Sequence, residues 1–418
     1  MKIKDLYHLY ALHFLVDTDT RKIRKNTLFF GLKGAHFNGN EFAEKALELG
    51  ASYAIVDEEK YATQQQIILV NDVLKTLQEL ANYHRNILKI PIIGITGSNG
   101  KTTSKELIHA VLSKKYRTTA TEGNLNNHIG VPLTLLSMTP KTEIGIVEMG
   151  ANHQKEIQFL CTLCEPDFGY ITNFGKAHLE GFGGLAGVIK GKSELYDFLE
   201  KNKKTAFINP QDSLQEEKTK NTTRYFFPAH LKFLKANPFV KISFDGTKIE
   251  SQLIGNYNYS NIAIAATIGA HFKVSTDNIK KAIENYIPDN NRSQIIKKDS
   301  NRIVLDAYNA NPSSMKVAVE NFKMIDKNRK TVILGDMFEL GATQLEEHQA
   351  IVDIVEKLGF DNVYFVGELF FKTKANSMLF KNFEELFTKL KTNPLKNQSI
   401  LIKGSRGMQL ERLLEVIN

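Results

Sequence analysis

The sequence predicts an α/β protein with three domains. Its 418 residues are enough for about three domains of ordinary size. From about residue 294 onward, short apolar runs alternate with amphipathic helical patterns, which is typical of a mostly parallel sheet with right-handed crossovers. Near residues 91–112 an apolar run, a Gly-rich turn and a helical pattern follow one another, as in a nucleotide-binding sheet. We therefore predict domains at 1–84, 85–293 and 294–418.

The composition is that of a globular protein with a moderate positive charge. The chain carries 54 Lys and Arg against 46 Asp and Glu, a formal net charge of +8. These basic residues are scattered along the sequence, and a polyanionic small-molecule substrate explains their excess as well as nucleic acid does. We expect no nucleic-acid partner, and we favour a monomer.

The N-terminal stretch Leu6 to Val16 is fairly apolar and follows two lysines, as a signal peptide would. It contains His8, Tyr10 and His13, however, and no small-residue cleavage site follows it. No run reaches the ~18 apolar residues that a membrane-spanning helix needs. We expect a cytosolic protein without stable membrane insertion.

Cys161 and Cys164 are the two cysteines of the chain. They lack a second pair or a nearby histidine pair, so a zinc site is weakly indicated, and a redox role is conceivable. The simpler prediction is two helix residues near a core.

Residues 1–84 predict a small α/β unit. Strand patterns lie at 27–32, 53–56 and 67–70, and helical patterns lie at 42–49 and 73–81, followed by a connector at 86–89. Arg21, Lys33 and the turn at 38–40 are polar loop positions that are either solvated or bind a ligand. No catalytic constellation is visible in this unit.

The turn Gly97–Thr102 is the strongest chemical signal of the sequence. It joins the apolar run 91–96 to a helical pattern that includes Leu107 and Val111. Its glycines let backbone N–H groups face an anion, Lys101 can reach phosphates, and a Thr hydroxyl can ligate Mg²⁺. The match to a Walker A motif is incomplete, because Ile95 stands where a Gly is required. A plain strand–turn–helix is the alternative.

Further polar residues follow the other strand patterns of residues 85–293. Three Asn lie within 124–127, and we weigh a polar ligand site there against an ordinary turn. Glu148 ends the strand pattern 144–148, where it is either an Mg²⁺ ligand or a surface residue. His178 follows the strand pattern 168–173 and precedes a helix with Lys190, Lys192 and Glu194. A strand at 205–209, a β-rich stretch at 211–250 and an Ala-rich helix at 262–271 complete the unit.

The last unit alternates strand patterns at 303–305, 331–334, 363–366 and 400–402 with helical patterns at 314–326, 345–358, 383–391 and 408–417. Polar residues again follow the strands: Asp306 with Asn309 and Asn311, Asp336 with Glu339, and Lys403 with Ser405 and Arg406. Three such clusters at strand ends predict a functional edge of the sheet.

Seven stretches together resemble the Mur ligase family over nearly the whole chain. They are TGSNGKTT from Thr96, GNLNNHIGVPLTLL from Gly123, VEMGANHQKEI from Val147, ITNFGKAHLEGFG from Ile171, DAYNANPSSM from Asp306, LGDMFELG from Leu334 and KGSRGM from Lys403. The resemblance implies an N-terminal UDP-binding α/β domain, a central P-loop ATPase-like domain and a C-terminal Rossmann-like domain that close on their substrates.

The resemblance also implies an ATP-dependent amide ligase of cell-wall synthesis. Its expected substrates are UDP-N-acetylmuramoyl-tripeptide and D-alanyl-D-alanine, joined through an acyl phosphate. Two alternatives stay open: a related ligase acting at an earlier cell-wall step or on folate, and a nucleotide-binding scaffold without catalysis. The stretches from Asp306 and Ala177 argue against the first, and intact Lys101 and Glu148 argue against the second.

The family's pattern implies roles for particular residues. The catalytic set would be Lys101, Glu148, His178 and Lys192. Two Mg²⁺ ions would be held by Thr102, Glu148, His178 and a CO₂-derived carbamate on Lys192, with Lys190 ranked lower on spacing. ATP would meet Gly97, Ser98, Asn99, Gly100, Lys101, Thr102, Thr103, Asn261, Arg292 and Asp306, and Tyr257 replaces a His that is usual in the family. Substrate binding would use Thr20, Arg21, Lys33, Asn126, Asn127, Asn309, Asn311, Lys403, Ser405 and Arg406.

Overall fold

The N-terminal part of the protein is a four-stranded parallel sheet in the order β1-β2-β5-β6, with a small antiparallel hairpin, β3-β4. The computed structural model describes residues 1–325 and 329–417. The elements here are α1 Ile3–Tyr10, β1 Val16–Asp17, β2 Leu28–Phe30, β3 Lys33–Gly34, β4 Phe37–Asn38, α2 Ala43–Glu48, β5 Tyr53–Val56, β6 Ile67–Leu69 and α3 Val73–Leu88. The predicted strands and helices of this part are therefore confirmed.

Helix α3 is longer than the sequence predicts, so the connector expected at 86–89 is wrong. The Asp72 side chain caps its start by accepting from the Lys75 N–H at 2.8 Å, and Lys89 in the left-handed region ends it. Arg85 lies deep in this helix, where its Nη2 donates to Asp167 Oδ2 at 2.8 Å and its Nε donates to the Cys164 carbonyl at 3.0 Å. The helix continues because these contacts anchor its last turn to the following domain. The predicted boundary at 84/85 lies inside it.

The central part is built on a six-stranded parallel sheet in the order β12-β11-β10-β7-β9-β8. A three-stranded antiparallel sheet, β13-β14-β15, forms the second half of the β-rich stretch predicted at 211–250, whereas the first half holds helix α9 and the edge strand β12. The elements are β7 Ile92–Thr96, α4 Lys101–Leu112, β8 Thr118–Ala120, α5 Gly130–Leu136, β9 Ile144–Glu148, α6 Glu156–Cys164, β10 Phe168–Ile171, α7 Leu179–Phe182, α8 Leu185–Lys201, β11 Thr205–Ile208, α9 Ser213–Lys218, β12 Thr223–Phe226, β13 Lys232–Ala236, β14 Phe239–Phe244, β15 Thr247–Ile254, α10 Asn258–His271 and α11 Thr276–Asn285.

Strand β7 lies in the middle of this sheet, and all five of its residues are buried. Its neighbours β9 and β10 are followed by helices, so the loop after β7 opens at a point where the strand order reverses, which is where ligands bind in such sheets. Cys161 and Cys164 lie buried on α6 with their sulfurs 3.9 and 3.8 Å from the Met149 sulfur. This placement agrees with the prediction of core residues.

The C-terminal part is a six-stranded sheet in the order β16-β17-β21-β18-β19-β20, parallel except for β16. Its elements are β16 Gln294–Lys298, β17 Asn301–Asp306, α12 Pro312–Met324, β18 Lys330–Gly335, α13 Gln344–Leu358, β19 Asn362–Val366, β20 Met378–Phe380, α14 Phe383–Thr392 and β21 Ser399–Lys403. The sequence did not predict the edge strands β16 and β20. The predicted helix end at residue 326 lies outside the described residues.

The α-helix predicted at 408–417 is wrong. The chain there forms 3₁₀ turns at Arg406–Met408 and Leu410–Glu415, separated by Gln409 in the left-handed region. Leu410, Leu413 and Val416 are buried at a spacing of three, which matches the three residues per turn of a 3₁₀ helix. Burial of that stripe therefore selects the tighter helix.

One continuous cluster of buried apolar side chains runs from α1 and α3 through the central sheet to α12 and β18 of the C-terminal part. Separate clusters fill the other faces of the central and C-terminal sheets. The α/β fold class is confirmed. Within residues 1–325 and 329–417, no helix combines the length and apolar composition needed to cross a membrane.

We predict that His84, buried between α3 and the central domain, makes stability fall in mild acid. Its Nε2 lies 2.9 Å from the Met138 carbonyl, and its Nδ1 lies 3.3 Å from the Tyr7 hydroxyl, an arrangement that suits a neutral ring. Burial lowers the pKa of His84. The unfolded chain therefore binds more protons, so this contribution is complete above about pH 6.5 and is lost as the pH falls toward the folded pKa.

Urea unfolding at pH 7.5 and 5.5 measures this effect. His84→Gln should show a smaller fall in unfolding free energy between the two pH values than the wild type. His13→Gln, at an exposed position, is the control and should keep the wild-type difference. Equal pH dependence in His84→Gln and wild type would contradict the assignment.

Candidate active site

A cavity of about 700 Å³ lies between the central and C-terminal sheets. Its walls come from the carboxyl ends of strands in both sheets: Glu148 ends β9, Asp306 ends β17 and Lys403 ends β21. The loop after β7 and the segment after β10 complete the central side. Two open α/β sheets thus direct their ligand-binding edges into one space.

The loop after β7 approaches its neighbours too closely for any residue but glycine at two positions. A Cβ on Gly97 would lie 2.0 Å from Thr172 Oγ1, and one on Gly100 would lie 2.6 Å from Asn261 Oδ1. Both glycines also have positive φ, 139° and 81°. The loop is therefore pressed against β10 and α10 at fixed points.

Helix α4 begins directly after this loop, and its first N–H groups face the cavity. The first intrahelical bond runs from Ser104 N to Gly100 O at 2.9 Å, so the amides of residues 101–103 precede the helical ladder. Unpaired amides and the helix dipole together make an anion site. The predicted loop residues Ser98, Asn99, Gly100, Lys101, Thr102 and Thr103 all line the cavity, whereas Gly97 supports the loop from behind.

Asn173 holds the loop in place, although sequence reasoning did not single it out. Its Oδ1 accepts from Asn99 N at 3.1 Å, its Nδ2 donates to Asn99 O at 2.9 Å, and its carbonyl accepts from Ser98 N at 3.0 Å. The Thr172 hydroxyl also donates to Asn99 O, at 2.6 Å. Its place just after a strand end was the one available signal, and the sequence could not show which loop it would meet.

The Lys101 side chain folds back on its own loop. Its Nζ donates to the Gly97 carbonyl at 2.7 Å and to the Ser98 carbonyl at 3.3 Å. Burial lowers the pKa of Lys101, while the Glu148 carboxylate acts in the opposite direction. The amine is thus positioned at the base of the anion site.

The two oxygens of the buried Glu148 carboxylate have different surroundings. Its Oε1 accepts from Asn126 Nδ2 at 2.8 Å and from Thr102 Oγ1 at 3.3 Å. Its Oε2 is buried without a hydrogen-bond partner among the described residues, and the side chain is 1% exposed. An unpaired buried carboxylate oxygen is costly unless a cation meets it. Glu148 and the Thr102 hydroxyl therefore fit a hard divalent cation.

Lys192 is 1% exposed and lies behind the cavity wall. Its Nζ donates to the carbonyl of Ala151, a wall residue, at 3.1 Å and lies 5.0 Å from the Phe182 ring centroid. Burial, followed by the charge of Lys101, lowers the pKa of Lys192 well below its usual value. The alternative Lys190 is exposed on the same helix.

His178 lines the cavity where the central and C-terminal domains meet. Its Nδ1 is hydrogen-bonded to the Glu339 carboxylate, which comes from the loop after β18, and this bond lowers the pKa of Glu339. Across residues 1–325 and 329–417, no three His, Cys, Asp or Glu side chains converge into a metal site. A second cation site thus has separate candidate ligands but no preformed cluster.

The nucleotide candidates beyond the loop lie in or beside the same cavity. Asn261 Oδ1 accepts from Ser104 Oγ at 2.9 Å and faces Gly100. Arg292 lies 3.6 Å over the Tyr308 ring, and its Nε is buried without a partner among the described residues. Tyr257, in place of the family's usual His, places its hydroxyl 2.6 Å from Ser293 Oγ.

Most of the substrate candidates of the last two domains also line the cavity. They are Asn126, Asn127, Asn309, Asn311 and Lys403. Asn311 Nδ2 donates to Asn99 Oδ1 at 2.7 Å, so the C-terminal domain contacts the loop after β7, the phosphate loop, directly. Lys403 Nζ donates to Asp306 Oδ2 at 2.6 Å, which pairs two predicted site residues with each other. Asn127 mainly caps α5 through Ile129 N and Gly130 N.

Ser405 and Arg406 do not line the cavity. The Ser405 hydroxyl accepts from Phe338 N at 3.0 Å, and the Arg406 guanidinium lies 4.9 Å from the Tyr308 ring. Both therefore support residues of the wall. Tyr308, placed between two arginines, is a site residue that sequence reasoning missed.

The first-domain candidates Thr20, Arg21 and Lys33 lie outside this cavity. Arg21 is exposed and paired with Asp19 at 2.7 Å. Lys33 Nζ lies 2.8 Å from Asp57 Oδ1 and 3.0 Å from Glu58 Oε1. The structure does not bring these residues together with the rest of the predicted site.

Family models match three consecutive segments of the chain. They are described as Mur ligase family, catalytic domain, at 12–90; Mur ligase middle domain, at 95–269; and Mur ligase, glutamate ligase domain, at 291–406. The UDP-N-acetylmuramoyl-tripeptide–D-alanyl-D-alanine ligase of Bacillus subtilis strain 168 is 35% identical, over 96% of this chain and 92% of that protein.

Solved structures agree over the same length. The MurF ligase of Thermotoga maritima in complex with ADP superposes with a TM-score of 0.84 at 26% identity, covering 96% of each chain. MurF from Acinetobacter baumannii superposes with a TM-score of 0.83 at 28% identity, covering 96% of this chain and 92% of that one.

We predict that Asn173→Ala weakens binding of an adenosine nucleotide roughly tenfold, because two hydrogen bonds that order Asn99 are lost. Isothermal titration calorimetry with ADP measures the change. Asn202→Ala, which removes one exposed helix-end hydrogen bond far from the cavity, is the matched control and should bind as the wild type does. An unchanged affinity in Asn173→Ala would remove Asn173 from the site.

Proposed function

The chain belongs to the Mur ligase family, and we propose on this basis that it is an ATP-dependent ligase that forms an amide bond between D-alanyl-D-alanine and UDP-N-acetylmuramoyl-tripeptide. The product is the pentapeptide precursor of peptidoglycan. The observation that carries the proposal is the shared cavity, in which an anion-binding loop of one sheet faces the Asp306, Asn311 and Lys403 edge of another. A ligase that must bring two substrates to one nucleotide requires such a space.

The proposal divides the work among the three predicted domains. Residues 1–84 would hold the UDP end of the first substrate, and residues 85–293 would hold ATP. Residues 294–418 would receive the dipeptide. The direct contact of Asn311 with Asn99 supports this division, since it brings the dipeptide side of the cavity to the phosphate loop.

The reaction joins two anions, so positioning and charge compensation are the main tasks of the protein. The terminal carboxylate of the tripeptide attacks the γ-phosphorus of ATP, and ADP leaves. The amine of the dipeptide then attacks the acyl phosphate carbon, and the tetrahedral species loses phosphate and a proton. The amides of residues 101–103 and the Lys101 amine would hold the phosphates during the first step.

The other cavity residues would orient the groups that react. Arg292 offers a buried Nε that lacks a partner among the described residues, and a phosphate oxygen would satisfy it. Asn309, Asn311 and Lys403 line the same cavity, and Lys403 Nζ donates to the Asn309 carbonyl at 3.1 Å; the peptide ends of both substrates would meet there. The apolar neighbours Phe159 and Leu160 form part of the wall and would help exclude water.

Thr102 and Glu148 would hold Mg²⁺, and the unpaired Glu148 Oε2 supports this assignment. When bound, the ion would offset the negative charge that builds up between the phosphates and the attacking carboxylate. His178 and a carbamate on Lys192 would serve a second Mg²⁺. Burial, followed by the charge of Lys101, disfavours an ammonium at Lys192, and the positive charge of Lys101 would favour an anionic carbamate there.

Release of phosphate from ATP tests the ligase assignment. We predict release only when both UDP-N-acetylmuramoyl-tripeptide and D-alanyl-D-alanine are present, with pentapeptide product detected by mass spectrometry. Lys101→Ala should abolish turnover and keep a wild-type thermal unfolding curve, because its amine contacts only carbonyls of its own loop. Lys114→Ala, at an exposed position just after the C-terminal end of α4, is the control and should remain active.

Three outcomes would contradict these expectations. Phosphate release that ignores both substrates would reject the ligase, and near-normal turnover of Lys101→Ala would reject its role. Product formed with a single amino acid in place of the dipeptide would point to a related ligase of another cell-wall step. Parallel assays with diaminopimelate-containing and lysine-containing UDP-tripeptides would identify the third residue of the natural substrate.

We predict that Lys192 forms a carbamate. With ¹³C-labelled bicarbonate, the protein should give a carbamate carbon signal by NMR that is absent in Lys192→Ala and retained in Lys190→Ala, because Lys192 is buried and its pKa is lowered by that burial, whereas Lys190 is exposed. Acetate should partly restore the activity of Lys192→Ala by replacing the lost carboxylate. A signal that persists in Lys192→Ala, or full activity of that variant without acetate, would contradict the assignment.

A further inference from the structure

The contact between His178 and Glu339 crosses the boundary between the central and C-terminal domains. His178 immediately precedes α7 of the central domain, and Glu339 lies on the loop after β18 of the C-terminal domain. The imidazole Nδ1 meets a Glu339 carboxylate oxygen. Both residues line the cavity between the two domains.

The chemistry of the two groups fixes where the proton lies. An ionised carboxylate only accepts hydrogen bonds, so Nδ1 of a neutral His178 must carry the hydrogen and Nε2 must keep its lone pair. Among residues 1–325 and 329–417, Nε2 of His178 has no hydrogen-bond partner. Metal-binding histidines usually donate their second N–H to a carboxylate, which orients the ring and raises its basicity.

Two more contacts show that the pair depends on docking of the C-terminal domain. Glu180 N donates to the Glu339 carbonyl at 3.3 Å, and Lys176 Nζ lies 2.5 Å from Glu347 Oε1. His178 and Glu339 also both have positive φ, 52° and 62°. Non-glycine residues keep that conformation where the surroundings enforce it, and such positions concentrate at functional sites.

We propose that Glu339 is a positioning residue that completes the second cation site from the neighbouring domain. It holds His178 as the tautomer that can bind a cation through Nε2, and it does so only while the C-terminal domain is docked. Affinity for the second cation is therefore coupled to the arrangement of the domains. This inference rests on the proposed function, because it assigns the second cation to His178.

Mn²⁺ is the probe for the test, since free Mn²⁺ is counted directly by electron paramagnetic resonance. The full chain with ADP should bind two Mn²⁺ ions. Glu339→Ala should weaken the weaker site by about tenfold or more, the usual effect of losing a supporting carboxylate. Glu339→Gln should retain part of that affinity, because its amide oxygen still accepts from Nδ1. The Glu339 side chain is 53% exposed, so neither change removes buried packing.

Glu347→Ala is the matched control. It removes a neighbouring ion pair between the same domains and leaves the His178 contact in place, so it should keep both Mn²⁺ sites. Long-range ¹H–¹⁵N NMR of the metal-free protein should show the Nδ1–H tautomer of His178 in wild type and Glu347→Ala. In Glu339→Ala the Nε2–H tautomer of His178 should appear. Because Glu347→Ala also removes a contact between the domains but should keep the Nδ1–H tautomer, the change would report on Glu339 itself and not on domain docking.

Three results would overturn the inference: one Mn²⁺ site in the wild type, an unchanged or tighter second site in Glu339→Ala, or an equal loss in Glu347→Ala. The two-substrate ligase assay on the wild type distinguishes failure of the proposed role of Glu339 from failure of the proposed ligase function. A wild type that makes the pentapeptide while Glu339→Ala keeps its second Mn²⁺ site would reject only the role of Glu339. A wild type that makes no product would reject the function itself.

Discussion

The site is arranged around the buried carboxylate of Glu148, one oxygen of which has no hydrogen-bond partner among the described residues. Glu148 lies at the end of β9, where water cannot hydrate its Oε2, and Asn126 and Thr102 satisfy only its Oε1. Burying a charged oxygen without a partner is unfavourable, and on the proposed function a divalent cation would offset that cost. On the same proposal, the loop after β7, the helix dipole of α4 and Lys101 would place phosphates beside that cation.

Two sheets share one cavity because each supplies only part of the site. Each sheet contributes one type of group at its strand ends: the central sheet supplies the anion-binding loop, and the C-terminal sheet supplies Asn311 and the Asp306–Lys403 pair. Neither edge alone could align a nucleotide with two further substrates. The continuous apolar cluster that links the domains keeps these edges in register.

Local motifs were readable in the sequence, whereas contacts between distant segments were not. The loop at 97–102 and Glu148 could be predicted because strand, turn and helix patterns are contiguous there. Asn173, Tyr308 and the Glu339 contact depend on which loops meet in space, which no local pattern encodes. The same cause explains two errors. Contacts of Arg85 with the next domain extend α3, and a buried stripe at every third residue selects 3₁₀ turns near the C-terminus.

Helix α3 has a mechanical consequence. It passes without a break from the first domain onto the central one and is anchored there by Arg85 and by His84. Its 16 residues form a rod of roughly 24 Å that joins the first domain to the central one. On the proposed assignment, this helix sets the distance between the uridine end of the substrate and the loop after β7. A peptide one residue shorter would leave its carboxylate short of the reacting phosphate, and one residue longer would carry it past, so the fold would select substrates by length.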